Sequence, residues 1–191
     1  SFLQRRGAFR SGGDRVLLDE MMASAARMKR MLMDILDICL ADTGKLQPRF
    51  DNVSLGDLAR AAAKEMQPLG AVHDIGVVAD CELDDDVAYV DSELVRRVIT
   101  NLIDNGIKFA PEGTDVTTRL WGDADTARIT VTNQGAPRGT APARSANDRA
   151  SRGLGLAFCE LAVGLHGGKL AFDSPPTGGA VVSVTLPRRP G

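Results

Sequence analysis

Three cysteines are all this sequence has, at Cys39, Cys81 and Cys159. Their number is odd and their spacing fits neither a metal cage nor a redox pair. Each sits among apolar neighbours, so they read as reduced core residues of a cytoplasmic protein. No apolar run is long enough to span a bilayer, and no signal peptide is visible, so no membrane contact is expected. Charge of one sign is also lacking. The formal net charge is −2, which excludes a nucleic-acid binder held by bulk charge. Aromatic residues make up 4% of the chain, and its long helix must therefore find another helix to pack on. What is present is a 43% hydrophobic content over 191 residues, enough for one ordinary domain and an appendage. The chain opens on Ser1 rather than Met and reads as a piece of something longer.

The appendage comes first. From Asp14 to Ala41, Leu18, Met21, Ala25, Met28, Leu32, Ile35 and Cys39 recur three and four apart. That is a heptad seam, widened by Met31 and Ile38, and it predicts a helix of a dimerising two-helix hairpin. Asp14 is placed to cap it and Gly44 to stop it. The expected hairpin part is 1–46, with its first helix truncated. The expected second unit is 47–191.

Residues 47–191 alternate helical and strand patterns. After an extended linker, Ser54 is placed to cap a helix over Leu55–Gln67. Strands are expected at Ile75–Ala79, Ala88–Val90, Val116–Leu120, Ala127–Thr132, Lys169–Asp173 and Ala180–Leu186. Helices are expected at Ser92–Phe109 and Leu154–Leu165. The stretch Gly135–Arg152 has no periodicity and reads as a lid or loop. The fold class is α+β, a two-layer α/β sandwich with a mixed sheet and helices on one face.

Three motifs carry the chemistry. NLIDNGIKF runs from Asn101 to Phe109. On a wheel of about 100° per residue, Asn101, Asn105 and Lys108 fall within roughly 60°, at the border of an apolar face. A polar row there marks where a core ends and a cleft begins. VTNQGAP follows at Val131–Pro137, and RGLGLA at Arg152–Ala157, with LHGGKL at Leu165–Leu170. Glycines before a helix let backbone N–H groups approach phosphate closely.

In this order and spacing the motifs resemble the N, G1 and G2 boxes of the ATP-binding domain of bacterial sensor histidine kinases. MKRMLMDILDI with TGKL, between Met28 and Leu46, resembles the second helix of that family's dimerisation domain. The resemblance implies the ATPase fold of that family and transfer of the ATP γ-phosphoryl to a histidine, placed upstream of Ser1. It implies Asn105 as a Mg²⁺ ligand and Lys108 as a phosphate contact. It places Phe109 along the base. Asn101 stands where related ATPases carry a glutamate, and an amide cannot take a proton from water. Asn133 and Gly135 face the base; Arg152, Gly153, Leu154, Gly155 and Leu156 face the phosphates. Of the loop arginines Arg138, Arg144, Arg149 and Arg152, the last lies nearest the glycines. His166 stands at a family position read as structural. Implied partners are a second copy, through the N-terminal helix, and a response regulator receiver domain.

Two departures matter. Asn133 replaces the family's aspartate, and Pro137 stands where a second glycine is expected. Asn keeps an acceptor but loses the charge. A non-catalytic signalling module with weak or no nucleotide binding is therefore the alternative expectation.

Overall fold

The computed structural model describes residues 12–81, 86–135, 153–175 and 178–189. Helix α1 spans Gly12–Asp42. It begins before Asp14, which lies inside the helix rather than capping it. Its end behaves as expected: Gly44 takes φ +67° and donates to the Ala41 carbonyl, and Lys45 donates to Leu40. A residue with a Cβ would be strained there.

The segment read as a linker ends in a short strand, β1 (Asp51–Ser54), paired antiparallel with β3 (Val87–Val90). Ser54 then caps α2 (Leu55–Val72), accepting from the Asp57 N–H. This helix runs through Pro68 instead of stopping at Gln67. Proline removes one donor from the ladder. Burial of Met66 and Gly70, with Leu69 packed on the core, holds the last turn nonetheless.

Helix α3 (Ser92–Phe109) matches its expected bounds. Asp91 caps it, accepting from Glu93 and Leu94 N–H at 3.0 Å each. Leu94, Val95, Val98, Ile99, Leu102, Ile103 and Ile107 are buried along its inner face. Each such side chain contributes about 1.5–3 kcal/mol relative to exposure. Gly106 has a packing reason: a Cβ there would come within 2.8 Å of Val116 Cγ1.

The main sheet contains β2 (Gly76–Cys81), β4 (Asp115–Gly122), β5 (Thr126–Asn133), β6 (Lys169–Asp173) and β7 (Ala180–Pro187). Its order is β2-β4-β5-β7-β6, parallel between β2 and β4 and antiparallel elsewhere. Alternation puts Val116, Thr118 and Leu120 of β4 on the same face as Ala127, Ile129 and Val131 of β5. That face meets α2, α3 and α4 (Leu154–Leu165), so the fold is the expected two-layer α+β sandwich with a mixed sheet.

The heptad seam on α1 points outward at Met21, Met28, Leu32 and Ile35. Ile38, expected to widen that seam, turns the other way and packs on the core.

Candidate functional site

The polar row of α3 has three different surroundings. Asn105 is half-buried, and its amide has no hydrogen-bond partner among the described residues. Lys108 is exposed, with Nζ 5.5 Å from the centroid of the half-exposed Phe109 ring. Asn101 is buried, and its Nδ2 donates to Asp34 of α1 at 3.1 Å.

The other motifs gather around the same half of α3. A Cβ on Gly155 would lie 3.4–3.6 Å from the Asn101 amide, so the second glycine of the Arg152–Ala157 motif packs directly on the first asparagine. Gly153 is the N-cap of α4 and supplies no side-chain cap bond. The N–H groups of Leu154 and Gly155 belong to the first turn of the helix, which has no intrahelical acceptors for them, and such a helix N-terminus suits anions. Leu154 is exposed, whereas Leu156 packs on the core. Arg152 lies outside the described residues, as do Arg138, Arg144, Arg149 and Pro137.

Asn133 closes the far end. It is buried at the end of β5, with Oδ1 accepting from the Ala180 N–H at 3.1 Å and Nδ2 donating to the Gly106 carbonyl at 3.4 Å. Both halves of the amide are engaged by the protein's own backbone. Gly179, at φ +86°, makes this possible: a Cβ there would sit 2.3 Å from the Asn133 carbonyl oxygen. Gly135 lies against Gly179 and near the Phe109 carbonyl.

The family model for histidine kinase-, DNA gyrase B- and HSP90-like ATPases matches residues 90–190. This chain belongs to that family. Its relatives include the adaptive-response sensory kinase SasA of Rippkaea orientalis, 29% identical over 172 residues. That match covers 84% of this chain and 44% of the relative. Sensor protein DivL of Caulobacter vibrioides is 26% identical over 88% of this chain and 23% of its own length. The chain thus spans less than half of either relative. Among solved structures, the Acinetobacter baumannii histidine kinase AdeS superposes with a TM-score of 0.71 at 17% identity, over 95% of this chain and 88% of AdeS. The mycobacterial sensor histidine kinase MprB gives 0.62 at 25% identity, over 75% of this chain and all of MprB.

Within this ATPase fold, two clusters escaped the sequence reading. The first joins α1 to α3 and α4. Arg97 forms ion pairs with Asp34 and Asp37, and its guanidinium lies 4.1 Å from the centroid of the Phe158 ring. The signal was an arginine in an apolar stretch of α3, one turn from Leu94 and one from Asn101. A buried guanidinium needs carboxylates, and Asp34 and Asp37 share one face of α1.

The second cluster fixes the linker. Asp91 Oδ2 accepts from the Arg49 N–H at 2.7 Å, and the Asp91 N–H donates to His166 Nε2 at 2.9 Å. His166 Nδ1 lies 2.7 Å from the Ala162 carbonyl, which fixes the neutral tautomer with its proton on Nδ1. Phe50 packs edge-on against His166 and stacks on Tyr89. His73 ends α2 and is exposed.

The residues fit a Mg-nucleotide in composition. Asn105 offers a neutral oxygen, Lys108 an exposed cation, and α4 an uncapped N-terminus. No group of three or more His, Cys, Asp or Glu gathers as a metal cage among the described residues. A hard cation held between Asn105 and phosphate oxygens needs no such cage.

Proposed function

We propose that this chain is the ATP-binding catalytic region of a two-component sensor histidine kinase. Residues 47–191 form the nucleotide domain, and 1–46 belong to a dimerisation hairpin. The observation that carries this reading is the meeting of the Asn101–Phe109 row, Gly155 and the uncapped start of α4 around one half of α3.

In this reading Asn105 holds Mg²⁺ and Lys108 meets the phosphates. The N–H groups after Gly153 cradle them, with Leu154, Leu156 and Arg152 beside them. Phe109, Asn133 and Gly135 border the base. When bound, Mg²⁺ neutralises charge on the transferring phosphoryl group. The chain itself positions reactants and excludes a general base: Asn101 cannot accept a proton, so ATP is spared from water. The γ-phosphoryl passes to a histidine on a segment upstream of Ser1.

The outward row of Met21, Met28, Leu32 and Ile35 supports a homodimer through α1. The second partner is a response regulator receiver domain. A relative of the same fold, ThkA, has been solved in complex with response regulator protein TrrA. No helix among the described residues is long and apolar enough to cross a membrane. The proposed location is cytoplasmic. The non-catalytic alternative is not favoured, because the sequence retains Asn105, Lys108, Gly153 and Gly155 and the relatives it matches are named sensory kinases.

The test is incubation of the full-length protein with γ-labelled ATP and Mg²⁺. Acid-labile label on the protein, passed on to a receiver domain and lost in Lys108→Ala, supports the kinase. Nucleotide bound without any label transferred would support the non-catalytic module.

A further inference from the structure

Strand β6 is an outer edge of the main sheet, and among the described residues no strand pairs with its free side. A free edge offers unpaired N–H and C=O groups to any strand that fits it. The sequence of β6 is KLAFD, from Lys169 to Asp173. Its two charges stand at the two ends and have opposite sign.

Pairing with β7 fixes the faces of β6. Leu170 lies opposite Val184 and Phe172 opposite Val182, on the helix side of the sheet. Lys169, Ala171 and Asp173 lie on the open side, opposite Thr185, Ser183 and Val181. Leu170 packs on the core, whereas Phe172 is 46% exposed. Lys169 and Asp173 are exposed and make no ion pair among the described residues. Asp173 Oδ1 accepts from the Ser174 N–H at 2.8 Å, which leaves its second oxygen for a cation.

A second KLAFD laid antiparallel, with Ala171 opposite Ala171, matches the first at every position. Lys169 meets Asp173 at both ends, on the open side. Leu170 meets Phe172 twice, on the helix side, and covers the exposed ring. Directly opposed residues are close enough for both kinds of pair. Other arrangements lose the match. A slip of one residue crosses the two faces. A slip of two leaves Lys169 facing Ala171. Parallel pairing in register sets Lys169 beside Lys169. The opposite edge of the sheet, β2, carries Asp80 and no cation within the strand to meet it.

We propose that β6 is a self-recognition edge: a second copy of this chain adds its own β6 antiparallel, about a twofold axis at Ala171, and joins two five-stranded sheets into one. The contact is isologous, so each copy gives and receives the same pairs. Five residues a side fall well short of the roughly 1,600 Å² of a standard interface, so the association is weak and reversible. It uses a different element from the outward row of α1, and it does not depend on the nucleotide reading. Asp173 lies opposite Val181, next to the Ala180 N–H that Asn133 holds. Lys169 of the second copy therefore comes to the end of the sheet that carries Asn133.

The experiment uses the 191-residue chain with Cys39→Ser, which removes the exposed native thiol, and Ala171→Cys as a reporter on the twofold axis. Opposed residues in an antiparallel pair have Cα atoms about 4.5–5.5 Å apart, within disulfide range. Mild oxidation followed by a non-reducing gel gives the yield of linked dimer. Lys169→Asp and Asp173→Lys each set like charges opposite one another, and the double variant exchanges the charges and restores the match. The expected result is a linked dimer in the parent, a yield lower by about threefold or more in each single reversal, and recovery in the double. High salt should reduce the differences. Absence of linked dimer in the parent, or equal yields in all four chains at low salt, would overturn the proposal. A loss in the single reversals that the double fails to recover would also overturn it, since that is the signature of local damage rather than of matched charges.

Discussion

Asn133 gives its amide oxygen to the Ala180 N–H at 3.1 Å and its amide nitrogen to the Gly106 carbonyl, joining the ends of β5, β7 and α3. An aspartate cannot make the second bond, because a carboxylate has no proton for Gly106. The substitution in this motif therefore has a structural use. It also leaves the side chain with little to offer a nucleotide base. The expected outcome is weak base discrimination, with ATP and GTP competing within about fivefold of each other. Asn133→Asp should lose about 1–3 kcal/mol of stability while shifting preference toward ATP. Competition binding and urea unfolding measure the two effects. A native chain that rejects GTP strongly would contradict this account of Asn133.

Asp91 combines two jobs, capping α3 and holding the Arg49 backbone at the exit of the linker. Asp91→Ala should cost about 1–2 kcal/mol from the cap alone. Asp91→Asn, which keeps one acceptor, should recover part of that. Urea unfolding of both variants checks the order. Equal stability of native chain and Asp91→Ala would show that the cap contributes nothing.

Thr118 is fully buried in β4, and its hydroxyl has no hydrogen-bond partner among the described residues. Valine has nearly the same shape without the polar atom. Thr118→Val is expected to raise unfolding free energy by about 1 kcal/mol, within the range of an unmet polar group. A destabilised variant would mean that the hydroxyl is satisfied in solution.

Cys159 lies wholly inside the core, where burial pushes its thiol well above the ordinary value of 9.0. The unfolded chain releases that proton first. Stability from this group is therefore full below about pH 9 and falls as pH rises toward the folded value. The limiting loss is about 1.4 kcal/mol per pH unit. Unfolding between pH 8 and pH 10.5 should show this decline in the native chain and less of it in Cys159→Ala. Identical profiles would contradict the assignment.

Much of this fold could be read from periodicity. Helix α3 and helix α4 kept their expected bounds because an apolar face of period 3.6 and a stop signal agree there. Helix α2 outran its expected end because packing of Leu69 and Gly70 overrode the local cost of Pro68. Strand β1 was hidden because DNVS is short and gains its pairing from β3, more than thirty residues away. The common edge of Asn105 and Lys108 on α3 was legible from the helical wheel. The partner of Asn101 was not. Asp34 lies 67 residues earlier on another helix, and a heptad reading attends to the apolar seam rather than to the acidic face behind it. For the same reason Ile38 was assigned to the wrong side of α1.

The central claim is that the Asn101–Phe109 row and the start of α4 bind Mg-nucleotide. It is tested most directly by calorimetric titration of this chain with ATP, with and without Mg²⁺, beside Asn105→Ala. The expected result is binding at micromolar to sub-millimolar concentration that requires Mg²⁺ and weakens about tenfold or more in Asn105→Ala, a loss of about 1.4 kcal/mol or more. No heat of binding up to millimolar ATP, or binding indifferent to both Mg²⁺ and Asn105, would contradict it.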